Sequence, residues 1–464
     1  MQRKIISLFL LIFIVISSFV FAEGIKTLDK KTIGILKKSV KIDAKTKAWI
    51  NALTSVDARK LVMDRDILNN YDSYFNTEIK HKGITNQQSS GRCWMFAGLN
   101  VMRPAVMKKF NLASFEFSQS FLFFWDKLEK ANFFLEQIIN TRNKGFDDRE
   151  LQALIADPTG DGAWWNYYVN LIEKYGIVPK SAQPETYNSS HSGTMNRVLK
   201  SYLLQTAIKF REMAANGISV KTLRSRKIEA LKKVYQLLVM HLGEPVSEFT
   251  WKVKNKDNKI IEKKYTPMEF YKDAIQVNLE DYVTVVDYPA YTQNKLYQIK
   301  YCTNMEDRGD MTFVNLPISR VKECALKALQ NGEPVWFGAD VSHDMESKKG
   351  IMAKGLYDYA SLYGFADQLS KSDRIKYHLS TPNHAMVFVG VDVKNNKPLK
   401  WKVENSWGTK GGNGGFWTMY DNWFDEYVYT VIVNKKYLTQ DELNLFNTKP
   451  IVLPDWDPMR AIFK

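Results

Sequence analysis

One change of pattern along the chain limits what it can fold into. In the front and middle, apolar residues recur at spacings of three and four. Trp94, Ala97, Val101 and Ala105 make one such face, so a helix is expected from Cys93 to Lys109. Pro104 is expected to kink or end it near Met102–Arg103. Residues 27–68 are mixed and helical in character, 115–139 are strongly aromatic and helical, and 202–242 read as helices with basic faces. The last third differs. Residues 334–341, 384–393, 399–404 and 416–420 are apolar or alternating, which is strand character. Helices first and an antiparallel sheet last make an α+β protein, not an alternating βα chain. A charge run between Trp251 and Tyr265 reads as a solvated hairpin or loop.

The chain has 464 residues. At roughly 150 residues per domain, that is about three domain-sized units or one core with large insertions. Hydrophobic residues at 45% and charged residues at 25% suit a globular core and exclude a disordered chain. A mean hydropathy of -0.33 excludes a polytopic membrane protein. Lys and Arg number 65 and Asp and Glu 50, a net charge of +15. That excess fits either a lysine-rich solvated surface or a basic groove for nucleic acid. No arginine-rich patch or zinc-finger spacing supports the groove. Three cysteines allow at most one bridge. Cys302 and Cys324 read as buried thiols or as that bridge, and neither has partners at metal-ligand spacing, so no metal and no cofactor is expected.

Residues 1–22 are not expected in the fold. Arg3 and Lys4 precede an apolar run from Ile5 to Phe21, and Ala22 follows. This is the form of a secretory signal peptide cut after Ala22, which would place the mature protein outside the cytoplasm, periplasmic or secreted. A retained anchor helix is the alternative.

The chemistry concentrates in three short segments. Cys93 follows Ser89-Ser90-Gly91-Arg92 and sits in the first turn of its helix. There the unpaired N–H groups and the helix dipole favour a thiolate, the nucleophilic form. Gln87, six residues earlier, can donate its amide beside the Cys93 N–H, and two such donors make an oxyanion hole. His384 begins an apolar strand. Asn405 lies 21 residues later in Glu404-Asn405-Ser406-Trp407-Gly408, where its side chain can fix the imidazole tautomer while Trp407 covers the bond. A lone cysteine, histidine or Asn-Ser-Trp-Gly turn each has a bland structural reading. Together they read as a Cys/His/Asn nucleophilic site.

Gln87, Cys93-Trp94, His384-Ala385 and Asn405-Ser406-Trp407-Gly408 resemble a papain-type cysteine peptidase. Ser89-Ser90-Gly91-Arg92-Cys93-Trp94, Phe123-Phe124-Trp125-Asp126-Lys127, Val335-Trp336-Phe337-Gly338 and Trp456-Asp457-Pro458-Met459 resemble more narrowly the bleomycin hydrolase/aminopeptidase C branch. Cys93 and His384 are 384 − 93 = 291 positions apart, against about 130–150 in ordinary papain-like chains, so inserted material is expected. The resemblance implies one peptidase domain over residues 23–464. It would have a helical half, an antiparallel sheet or barrel half, and a helical insertion over 180–310. It also implies thiol aminopeptidase activity on peptides, a homohexameric ring, and a C-terminal arm over 454–464 that limits the substrate. In that arm Ala461, Ile462, Phe463 and Lys464 would lie in the cleft and leave room for a free N-terminus. Trp94 and Trp407 would support the site. Arg460 and Phe463 are bulkier than the residues usual in the branch, and Asp161-Gly162-Ala163 stands for a usual Asp-Gly-Gly. An endopeptidase with an undocked arm, or an inactive basic ring that binds nucleic acid or a surface, are the other readings.

Overall fold

The computed structural model describes residues 27–460, apart from 81, 276 and 366–368. The signal segment 1–22 and the arm residues Ala461, Ile462, Phe463 and Lys464 therefore lie outside the described residues. Residues up to Met63 cluster as one unit and those from Asp64 as another. The first unit carries the helices Lys30–Ser39, Ala44–Leu53 and Ala58–Leu61. Each starts on an aspartate whose carboxylate accepts a backbone N–H of the first turn: Asp29 from Thr32, Asp43 from Thr46 and Asp57 from Arg59. Most of its side chains are exposed, so local capping carries much of its structure.

The second unit has a helical side and a sheet side. The helix Cys93–Lys109 is buried over most of its length and continues through Pro104. Of the two outcomes expected there, a kink or an end, the end does not occur. A proline inside a helix costs about 3 kcal/mol. Here the turns on both sides of it bury Leu99, Val101, Met102, Val106 and Met107 in the main core, and that burial outweighs the cost. Gly98 lets a second helix, Trp165–Tyr175, come close: a Cβ there would stand 2.8 Å from the Tyr168 ring. The aromatic helix Gln119–Asn140 and the helices Gly193–Ala215 and Val220–Leu242 pack on the same core. Between Phe249 and Tyr265 the charge run forms the two-stranded hairpin expected of it.

The sheet side is larger than the sequence suggests. Among the described residues, twelve strands form one mixed sheet. Three of its pairings are parallel, so it is not the purely antiparallel sheet expected. Eight of these strands were not signalled by sequence: the two-residue strands Thr77–Glu78, Met345–Glu346 and Ile351–Met352, and the longer Tyr282–Val286, Lys295–Ile299, Thr312–Asn315, Val428–Asn434 and Ile451–Leu453. Within 180–310 the helices end at Ala274, and the chain then enters the sheet, so the helical stretch is shorter than the sequence suggests. At the centre, His384–Lys394 pairs with Val335–Ala339 on one side and Lys397–Glu404 on the other, with His384 opposite Ala339 and Val387 opposite Glu404. This register brings the start of one strand beside the end of the next, where the site forms.

Candidate active site

Cys93 sits at the mouth of its helix because the preceding turn is held from within. The buried Arg92 guanidinium makes a two-pronged contact with Glu185, at 3.1 and 2.8 Å, and its Nε donates to Ser90 Oγ at 2.9 Å. Phe96 and Phe123 lie against the same guanidinium. Gly91 donates its N–H to Asp161 Oδ2 at 2.9 Å. The turn is fixed by side chains far away in sequence.

On the sheet side, Asn405 follows the strand Lys397–Glu404 and lies beside His384. Asn405 Oδ1 accepts the backbone N–H of Ser406 at 2.7 Å, which identifies this atom as the oxygen. His384 Nε2 is 2.8 Å from the same oxygen, so Nε2 carries the proton and donates it, and Nδ1 is left unprotonated. The Trp407 ring covers the imidazole at a centroid distance of 4.7 Å. Gln87 Nε2 gives one hydrogen to Ser90 O at 2.6 Å and keeps its second. Its Oε1 accepts from Ser406 Oγ at 2.6 Å, which ties the cysteine loop to the asparagine loop. Trp94 donates its indole N–H to the Asp161 carbonyl at 2.7 Å.

Gln87, Cys93 and His384 line one cleft of about 1040 Å³. The backbone N–H groups of Ala385, the residue next to His384, of Trp94 and of Cys93 itself favour the Cys93 thiolate. Burial acts against them and pushes the thiol up to about 12. Burial also draws His384 down to about 4, against the hydrogen bond it donates to Asn405. Burial thus favours the neutral form of each group. Cys302 and Cys324 are free, buried thiols. Among the described residues no group of three His, Cys, Asp or Glu side chains is placed to hold a metal.

Behind the site lie three charged groups whose buried contacts no local sequence pattern marks. Asp161 is the junction. Its carboxylate accepts from Gly91 N–H, Lys127 Nζ at 2.6 Å, Ser192 Oγ at 2.5 Å and Asn196 Nδ2 at 2.7 Å, and these donors, led by Lys127, hold it well below the usual carboxylate range. Lys130 pairs with Asp126 at 2.8 Å and donates to the carbonyls of Gly160 and Gly162. Asp340 accepts from Asn383 Nδ2 at 2.6 Å, one residue before His384. Charged residues on the buried face of the apolar run 115–139 were the available signal for Asp126, Lys127 and Lys130.

Residues 27–460 match the family model described as Peptidase C1-like, and the chain belongs to that family. It is similar to aminopeptidase C of Lactobacillus delbrueckii subsp. lactis, 39% identical over 397 residues that cover 84% of this chain and 88% of that one. It is also similar to human bleomycin hydrolase, 35% identical over 453 residues that cover 94% and 98%. The solved structure of PepW from Lactobacillus rhamnosis superposes with a TM-score of 0.91 at 35% identity, covering 94% of this chain and 99% of that one. The resemblance to the bleomycin hydrolase/aminopeptidase C branch and the α+β, papain-like fold class are thus borne out.

Proposed function

We propose that this protein is a thiol aminopeptidase that removes N-terminal residues from peptides. The observation that carries the mechanism is the His384–Asn405 hydrogen bond, which leaves Nδ1 free in a cleft that Cys93 also lines. In this reading Nδ1 takes the thiol proton, and the sulfur attacks the carbonyl of the first residue. The Cys93 N–H and the remaining hydrogen of Gln87 Nε2 hold the oxyanion. The imidazolium then protonates the departing amine, and an acyl-enzyme forms. Water, deprotonated by His384, attacks that thioester and releases the residue with its new carboxylate. Asn405 keeps the tautomer through both halves, and Trp94 and Trp407 brace the two loops.

Restriction to the N-terminus is assigned to the C-terminal arm. Asp455, Trp456, Asp457 and Arg460 line the same cleft as Cys93, which supports a wall at one end of it. Ala461, Ile462, Phe463 and Lys464 are assigned to the same arm by the resemblance alone. Free-amine and N-acetylated fluorogenic peptides test this directly: the free-amine forms are cut and the blocked forms are not. Equal cleavage of both would remove the aminopeptidase reading. Deleting residues 460–464 should move cleavage to internal bonds.

The chain is further proposed to be exported through residues 1–22 and to assemble as a homohexamer. A mature N-terminus at Glu23 and a six-fold mass by light scattering are the expected results.

A further inference from the structure

The C-terminal segment carries two buried carboxylates in opposite states. Ile451–Leu453 runs parallel to Lys295–Ile299 at the sheet edge, and a turn follows, closed by Asp457 N–H to Pro454 O at 3.1 Å. Asp457 is fully used: it accepts from Tyr291 Oη at 2.5 Å and from the Met459 N–H at 2.8 Å. Asp455, two residues earlier, is only 2% exposed, yet among the described residues neither carboxylate oxygen has a hydrogen-bond partner. Both residues line the cleft that holds Cys93 and His384.

The nearby cations do not complete it. Arg460 gives Nη1 to the Asp455 carbonyl at 3.2 Å and Nη2 to the Tyr301 carbonyl at 3.3 Å. Lys300 pairs with Glu150 at 2.6 Å. A buried carboxylate with no donor is unfavourable for folding, and such groups persist where something outside the fold supplies the partner. Asp457 shows that this same turn can satisfy an acid fully when the role is structural.

We propose that Asp455 is a specificity group for the substrate, and that it binds a cationic group of the peptide in the cleft, an ammonium or a guanidinium. This rests on the peptidase reading above, and it goes beyond it by naming the chemistry the cleft selects. Burial raises the Asp455 carboxyl to about 6, while Arg460 and Lys300 oppose the rise and Glu150 adds to it. Selection is therefore present above pH 6 and fades as the pH falls through it, because the protonated acid no longer attracts a cation. A bound cation moves that midpoint down.

The test compares wild type with Asp455→Asn on paired peptides. One pair carries lysine or a neutral norleucine at the second position; another carries a free α-amine or a neutral α-hydroxyl at the first. The expected result is a fall of about tenfold in the cation-over-neutral ratio of kcat/KM, expressed in KM, for one of the two pairs. The pair that responds identifies the source of the cation. Asp455→Asn should also melt no lower than wild type, since it removes a buried charge. Ratios unchanged in both pairs would overturn the proposal, and so would a lowered melting temperature with unchanged ratios. If wild type cuts none of the four peptides, the peptidase reading fails instead.

Discussion

The two sides of the site are held by different physics. On the helical side the cysteine turn is fixed by buried charges: Arg92 on Glu185, and Asp161 between Gly91 and Lys127. On the sheet side His384 and Asn405 are placed by strand register, with Val387 opposite Glu404, over a core that includes Val403, Phe388 and Trp401. Arg103 joins the two, reaching from the cysteine helix to Glu404, next to Asn405, at 2.5 Å. A loop has no ladder to set its shape, so side chains must set it. A strand pair needs none, because a one-residue slip would turn every buried residue to the wrong face.

The contrast can be broken at graded strength. Cys93→Ala should abolish turnover, a loss of at least about a thousandfold, while titration calorimetry still detects peptide binding. Lys127→Met leaves the Asp161 carboxylate buried without its cation, and denaturant melts should show a loss of about 3–5 kcal/mol. Asn405→Ala acts on the register-built side. It should lower kcat by about a hundredfold through loss of the tautomer, with little change in KM. Glu262→Gln breaks the exposed hairpin pair with Lys252, and stability should stay within about 0.5 kcal/mol. If Lys127→Met proved as mild as Glu262→Gln, the distinction between the two sides would be lost.

The same contrast explains what the sequence reveals. Cys93, His384, Asn405 and Gln87 are readable because each lies in a short segment whose neighbours set its local geometry. The resemblance singles out Asp161, but its contacts are not readable, since its partners Gly91, Lys127, Ser192 and Asn196 are 31 to 70 positions away and no local pattern marks them. The central strands of the ladder, Val335–Ala339 and His384–Lys394, are legible as apolar runs. Thr312–Asn315 and Ile451–Leu453 have four and three residues, too few to show a period, and their strand character comes from pairing with Tyr282–Val286 and Lys295–Ile299. Pro104 misleads for the opposite reason: a strong local rule yields to burial on both sides of it.

The proposed mechanism requires the buried Cys93 thiol to pass its proton to His384, so that the two charge as a pair. It is tested by the pH dependence of Cys93 alkylation with iodoacetamide, read by mass spectrometry on the Cys93 peptide so that buried Cys302 and Cys324 do not interfere. Wild type should react at a high, level rate from mildly acidic pH through neutrality, and His384→Ala should react only as the solution becomes strongly alkaline. A wild-type rate that rises only in that alkaline range, with His384→Ala tracing the same curve, would contradict the account.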